Sequence, residues 1–82
     1  MTRDGVLSTL KILIADVCGI QATAINDDGK LIAYGLDSVR ALDLLLGVED
    51  ELGVSISEHD PALRSVETVR QLAELVEQRR SG

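Results

Sequence analysis

Tyr34-Gly35-Leu36-Asp37-Ser38-Val39 joins two unlike parts of the chain. Upstream lies a polar, turn-rich segment. Downstream, Val39-Arg40-Ala41-Leu42-Asp43-Leu44-Leu45-Leu46 spaces apolar and charged residues as a helix with one buried face requires. The junction therefore reads as a helix start. Asp37 suits the N-cap, because its carboxylate accepts hydrogen bonds from free N–H groups of the first turn and its charge complements the helix dipole. Ser38 then takes the first helical position. Its hydroxyl stands at the mouth of the helix, where unpaired N–H groups and the dipole favour a phosphate.

Working outward, this helix is expected to run from Ser38 to about Leu52 and to end at Gly53. Leu44, Leu45, Val48 and Leu52 form its most continuous inward stripe. Val39, Leu42 and Leu46 fall toward the border, beside Arg40, Asp43, Glu49 and Asp50. Such a border reads either as core or as a docking surface for a partner. Arg40 needs its own account, because a cation in the first turn opposes the helix dipole.

Upstream, residues from about Thr2 to Cys18 read as a first helix, with Val6, Leu10, Leu13 and Val17 in register and Leu7 and Ile14 widening the stripe. Gly5 weakens the first turn, so a start after Gly5 is the alternative. Gly19 provides the stop. Gln21 to Leu36 is a long connection, marked by the turn Asn26-Asp27-Asp28-Gly29, with Ile25, Leu31, Ile32 and Tyr34 as candidates to pin it to the helices.

Downstream, Val54 and Ile56 are expected to close the core. Asp60-Pro61 offers a cap followed by a helix-start proline, which predicts a short helix near Pro61 to Ser65, with Ser57 as an earlier alternative start. Thr68-Val69-Arg70-Gln71 has the form of a capping box. Val69, Leu72, Ala73 and Val76 then repeat at helical spacing, Arg79 and Arg80 suit the negative end, and Ser81-Gly82 should fray.

The composition agrees with an all-α fold. Hydrophobic residues make up 45 % of the 82, yet there is one Tyr and no Trp or Phe. An aliphatic core of this kind fits packed helices better than a β sandwich. The length fits a single domain, residues 1–82 with a core over about 6–78.

Charge narrows the function. The formal net charge is -6, and residues 37–60 alone hold seven acids against one base, Arg40, while the remainder balances. Nucleic acid is therefore not an expected partner, since phosphate backbones are bound by clustered Lys and Arg. An acidic face at this helix suits basic partner surfaces, or is simply solvated. One cysteine cannot form an internal disulfide, the N-terminus does not read as a signal peptide, and the apolar runs are too short to span a bilayer. A cytoplasmic, monomeric protein without a membrane partner is expected.

Little here supports an enzyme. His59 beside Glu58 and Asp60 is a solvated histidine before it is a metal ligand, and Cys18 reads as a small core residue before it reads as a nucleophile. Neither a Gly-rich phosphate loop nor a Ser-His-Asp set is evident. Asp37 and Ser38 alone do not make a hydrolase.

Gly35-Leu36-Asp37-Ser38-Val39 resembles the G-x-D-S-[LV] signature of the acyl and peptidyl carrier proteins, and the likeness extends from about Val6 to about Gln78. The resemblance implies a small antiparallel helical bundle with three main helices and one short one. It implies a 4′-phosphopantetheine arm on Ser38, Asp37 as the motif acid that helps position the Mg²⁺-dependent transferase reaction, and Leu36 and Val39 as motif positions contacted by partners. Those partners would be a phosphopantetheinyl transferase and acyl-loading and synthase enzymes with basic docking surfaces, meeting Arg40, Leu42, Asp43, Leu46, Glu49 and Asp50. The carrier would hold its cargo without catalysing.

Two positions depart from the common pattern. Tyr34 stands where fatty-acid carriers more often have Leu, and the form Tyr-Gly-Leu-Asp-Ser-Val looks closer to carriers of polyketide and nonribosomal peptide assembly. Arg40 stands where the family usually has an acidic or small residue; it either alters which enzymes accept the carrier, pairs with a phosphate on Ser38, or is a tolerated surface arginine. The expected function is a free-standing acyl carrier protein of fatty-acid or polyketide synthesis. The alternatives are an aminoacyl or peptidyl carrier and, from another class, an unmodified acidic helical interaction module.

Overall fold

A computed structural model describes residues 3–81. Three α-helices carry the fold: α1 (Arg3–Cys18), α2 (Ser38–Leu52) and α3 (Val69–Ser81). Short 3-10 helices interrupt the connections at Ala22–Ala24, Leu31–Tyr34 and Pro61–Ser65. Thr2, the expected start of the first helix, and Gly82, expected to fray, lie outside the described residues.

The core is aliphatic, as the composition requires. α1 packs against both α2 and α3. Its Val6, Leu10 and Ile14 are fully buried, and they meet Leu44 and Val48 of α2 and Val69, Ala73 and Val76 of α3. Each large side chain so buried contributes about 1.5–3 kcal/mol. Val54 and Ile56 close the core after α2, as expected. Leu13 of α1 lies against Gly47 of α2, while Cys18 stands within electrostatic reach of Asp37 and Arg40. The two helices therefore run antiparallel, and the end of α1 comes close to the start of α2.

The first and the short helix stand where expected, at Arg3–Cys18 and Pro61–Ser65, so two alternative helix starts are not taken, and two other expectations need correction. Helix α1 runs through Gly5 rather than starting after it, because burial of Val6 and Leu7 in the first turns outweighs the weak propensity of one glycine. The centre of its stripe is Val6, Leu10 and Ile14, with Leu13 and Val17 only partly buried. Ile32 does not pin the connection: it is 79 % exposed, because the 3-10 turn that buries Leu31 directs its neighbour outward. The short helix does not reach back to Ser57, whose hydroxyl and carbonyl instead close a separate turn onto the N–H groups of His59 and Asp60.

The long connection is held rather than loose. Asn26 donates its backbone N–H to the Tyr34 hydroxyl at 2.9 Å. Gly29 lies directly under that hydroxyl, where a Cβ would come within 1.9 Å of it. The start of α3 completes the joint: Val69 and Arg70 donate their backbone N–H groups to the carbonyls of Gly29 and Asp27, and Leu31 donates to Glu67. Arg70 also pairs with Asp28 at 2.7 Å, and Lys11 pairs with Asp27. These contacts fix the path of the chain into α2.

Candidate functional site at the start of the second helix

Gly35 adopts a left-handed conformation, φ 89°, which turns the chain out of the preceding 3-10 turn and is open chiefly to glycine. Leu36 packs partly against the core, and Asp37 then caps α2, as the sequence predicts. The Asp37 Oδ1 accepts the Arg40 backbone N–H at 2.9 Å, and Oδ2 accepts the Arg40 guanidinium at 2.9 Å. That backbone bond is the main reason the Asp37 carboxyl is held below the usual carboxylate range, with the Arg40 charge adding to it against some desolvation.

Ser38 follows at the first helical position and is exposed. Beside it opens a groove of about 690 Å³, with Asp37 and Ser38 in its wall. Leu31, Leu36, Leu44, Leu45, Leu63, Val66 and Leu72 make the groove apolar, while Lys30, Glu58 and Glu67 also contribute to its lining. The structure thus joins Ser38 to residues from α2, α3 and two connections.

The outer side of α2 is uncovered. Val39, Leu42 and Leu46 are 70 %, 42 % and 61 % exposed, so the choice between core and surface falls to surface for all three. Asp43, Glu49 and Asp50 are exposed beside them, and Ile32 adds an exposed apolar side chain from the preceding connection. Arg40 is exposed too, but its guanidinium is engaged by Asp37. The Asp37 to Arg40 spacing of three residues was the available signal for that pair.

His59 stands well into solvent, with Glu58 3.7 Å away. Among the described residues no group of three or more His, Cys, Asp or Glu is placed to hold a metal ion. Partial burial pushes the Cys18 thiol up, offset in part by the Arg40 charge, with Asp37 adding a smaller upward push. That direction keeps the thiol protonated. No helix among the described residues is long and apolar enough to cross a membrane.

The site is thus an exposed serine at an uncovered helix start, on a small acidic helical bundle. The family model for the phosphopantetheine attachment site matches residues 8–76, and the chain belongs to that family, the acyl carrier proteins. It is 28 % identical over 79 residues to the acyl carrier protein of Thermotoga maritima, covering 95 % of each chain. It is 35 % identical over 72 residues to the chloroplastic acyl carrier protein 1 of Cuphea lanceolata, which takes in 78 % of this chain and half the length of that one.

Among solved structures, a free-standing peptidyl carrier protein from a secondary metabolic pathway of Acinetobacter baumannii superposes with a TM-score of 0.78 at 25 % identity, covering 93 % of this chain and 92 % of that one. The fold is that of a carrier protein, as expected. The cofactor of the family is covalently attached 4′-phosphopantetheine. The start of α2 fits such a group: a serine hydroxyl is accessible there, at the positive end of the helix dipole, with open space beside it.

Proposed function

We propose that the protein is an acyl carrier whose Ser38 bears the 4′-phosphopantetheine arm. The observation that carries this reading is Ser38 itself, exposed at the capped start of α2 and bordering an apolar groove. In the attachment step the Ser38 hydroxyl oxygen bonds to the phosphorus of coenzyme A nearest the pantetheine. The bond from that phosphorus to adenosine 3′,5′-bisphosphate breaks, and the hydroxyl proton is released. When attached, the arm supplies a terminal thiol that holds cargo as a thioester.

The remaining roles belong to the chain's own residues. Asp37 fixes the start of α2 and so places Ser38. Leu36 and Val39 flank the serine for contact with the transferase. Leu42 and Leu46, with Asp43, Glu49 and Asp50, form the surface onto which basic partner enzymes dock. Charge draws such partners in, and the modest apolar area lets them go. The protein acts as substrate and partner of other enzymes, as a monomer in the cytoplasm.

The apolar groove beside Ser38 favours an acyl cargo of fatty-acid or polyketide type, since it offers mostly hydrocarbon surface to a chain carried there. A second reading, an aminoacyl or peptidyl carrier, draws on the likeness to the peptidyl carrier structure. Intact mass after incubation with coenzyme A, Mg²⁺ and a broad-specificity phosphopantetheinyl transferase tests the attachment. A single phosphopantetheine adduct, absent from Ser38→Ala, is the expected result. No adduct on a folded chain, with several transferases, would favour the unmodified interaction module. Loading assays with acyl against aminoacyl donors then separate the two carrier readings.

A further inference from the structure

Arg40 is the only base among residues 37–60, set against seven acids, and its guanidinium is engaged by the acid next to Ser38. One residue holds both oxygens of the cap, Oδ1 through its backbone N–H and Oδ2 through its side chain, each at 2.9 Å. The helix needs only the first of these bonds. Any residue but proline supplies that N–H at this position, and a cation in the first turn opposes the dipole. What the side chain adds is charge cancellation. The start of α2 is therefore locally neutral, and its uncompensated acids begin at Asp43 and continue through Glu49, Asp50 and Glu51.

This separates two parts of one surface. A basic partner is drawn to the later turns of α2, but a basic group arriving beside Ser38 must first displace Arg40 from Asp37. An arginine held by an acid three residues away also has little freedom to reach Ser38, since positions two apart on a helix do not share a face. We propose that Arg40 is a specificity-determining residue that masks Asp37, selecting against partners that seat a base beside Ser38 and for partners that grip α2 from Asp43 onward. The inference rests on the carrier reading and concerns which enzymes that carrier accepts.

The test uses the full chain with a broad-specificity phosphopantetheinyl transferase, coenzyme A and Mg²⁺, comparing wild type, Arg40→Ala, Arg40→Glu, and Asp37→Asn with and without Arg40→Ala. Thermal melts establish that each variant is folded. Freeing Asp37 is expected to lower KM for the carrier about two- to five-fold in Arg40→Ala, the range of an exposed ion pair, and further in Arg40→Glu, with kcat unchanged. The gain should vanish at about 1 M salt, where the screening length is roughly 3 Å, and in the Asp37→Asn background. Independently of the enzyme, NMR titration of the Asp37 carboxyl should show its pKa rising in Arg40→Ala.

An unchanged or raised KM for Arg40→Ala overturns the proposal, as does an Asp37 titration that ignores the substitution. Wild-type protein that takes no adduct overturns the carrier reading itself, and that outcome is distinct because it precedes any comparison among variants.

Discussion

Helices α2 and α3 begin in opposite ways. At the start of α3 the chain supplies its own partners: Val69 and Arg70 donate to the carbonyls of Gly29 and Asp27, Gln71 donates to the Thr68 hydroxyl, and the Gln71 side chain accepts from Glu67 and Thr68. At the start of α2 the cap is local, made by Asp37 on Arg40, and among the described residues no distant segment bonds there. One helix start is a joint between connection and helix; the other is left to solvent, with a serine in it. A closed start secures the fold, and an open one leaves room for attachment.

Substitution at the two starts should therefore fail differently, and the largest contrast is at Ser38. Ser38→Ala is expected to abolish the phosphopantetheine adduct in an intact-mass assay while shifting stability by no more than about 0.5 kcal/mol, because the side chain is exposed. Comparable loss of stability would mean that the start of α2 is a structural joint as well.

Next in size is Gly29→Ala on the closed side. The new Cβ would lie 1.9 Å from the Tyr34 hydroxyl and 2.7 Å from Cζ, so the ring must move and its bond from Asn26 must break. Overpacking of this kind costs about 1–3 kcal/mol, measurable by denaturant unfolding. Thr68→Ala should follow at about 1 kcal/mol, the usual worth of a capping side chain, since Gln71 loses its acceptor. Both variants should still accept the arm on Ser38. Loss of the adduct in either would show that the joint at α3 controls the site at α2.

The two starts also differ in how plainly the sequence shows them. Asp37, Ser38 and Gly53 bound α2 at Ser38–Leu52, and the Thr68 to Gln71 box marks α3, because caps are local chemistry written in adjacent residues. Asp60 and Pro61 likewise reveal the turn at Pro61–Ser65. The joint between the connection and α3 was not legible, since it is made by backbone carbonyls that carry no residue signature. Nor was the groove beside Ser38, whose walls come from Leu31, Leu45, Leu63 and Leu72 in four separate stretches. Ile32 shows the limit most clearly. In a one-turn element the apolar pair Leu31-Ile32 has no period long enough to say which residue faces inward, and only tertiary packing decides it.

The smallest effect separates the two starts by their electrostatics. Asp28 at the closed joint and Asp37 at the open start both have carboxyls held below the ordinary range, but for different leading reasons: the Arg70 side chain for Asp28, a backbone N–H for Asp37. A depressed carboxyl stabilises the fold above its unfolded value, near pH 4, and that contribution is lost as pH falls through the folded value. Salt screens an exposed ion pair formed across the chain more than it screens a short bond to the backbone. Raising salt should therefore bring the Asp28 pKa up toward its ordinary value while moving Asp37 less, as read by NMR titration of the two carboxyls. Equal movement would mean that the guanidinium of Arg40, rather than the cap bond, dominates at Asp37. The masking proposed for Arg40 would then be the stronger half of that interaction.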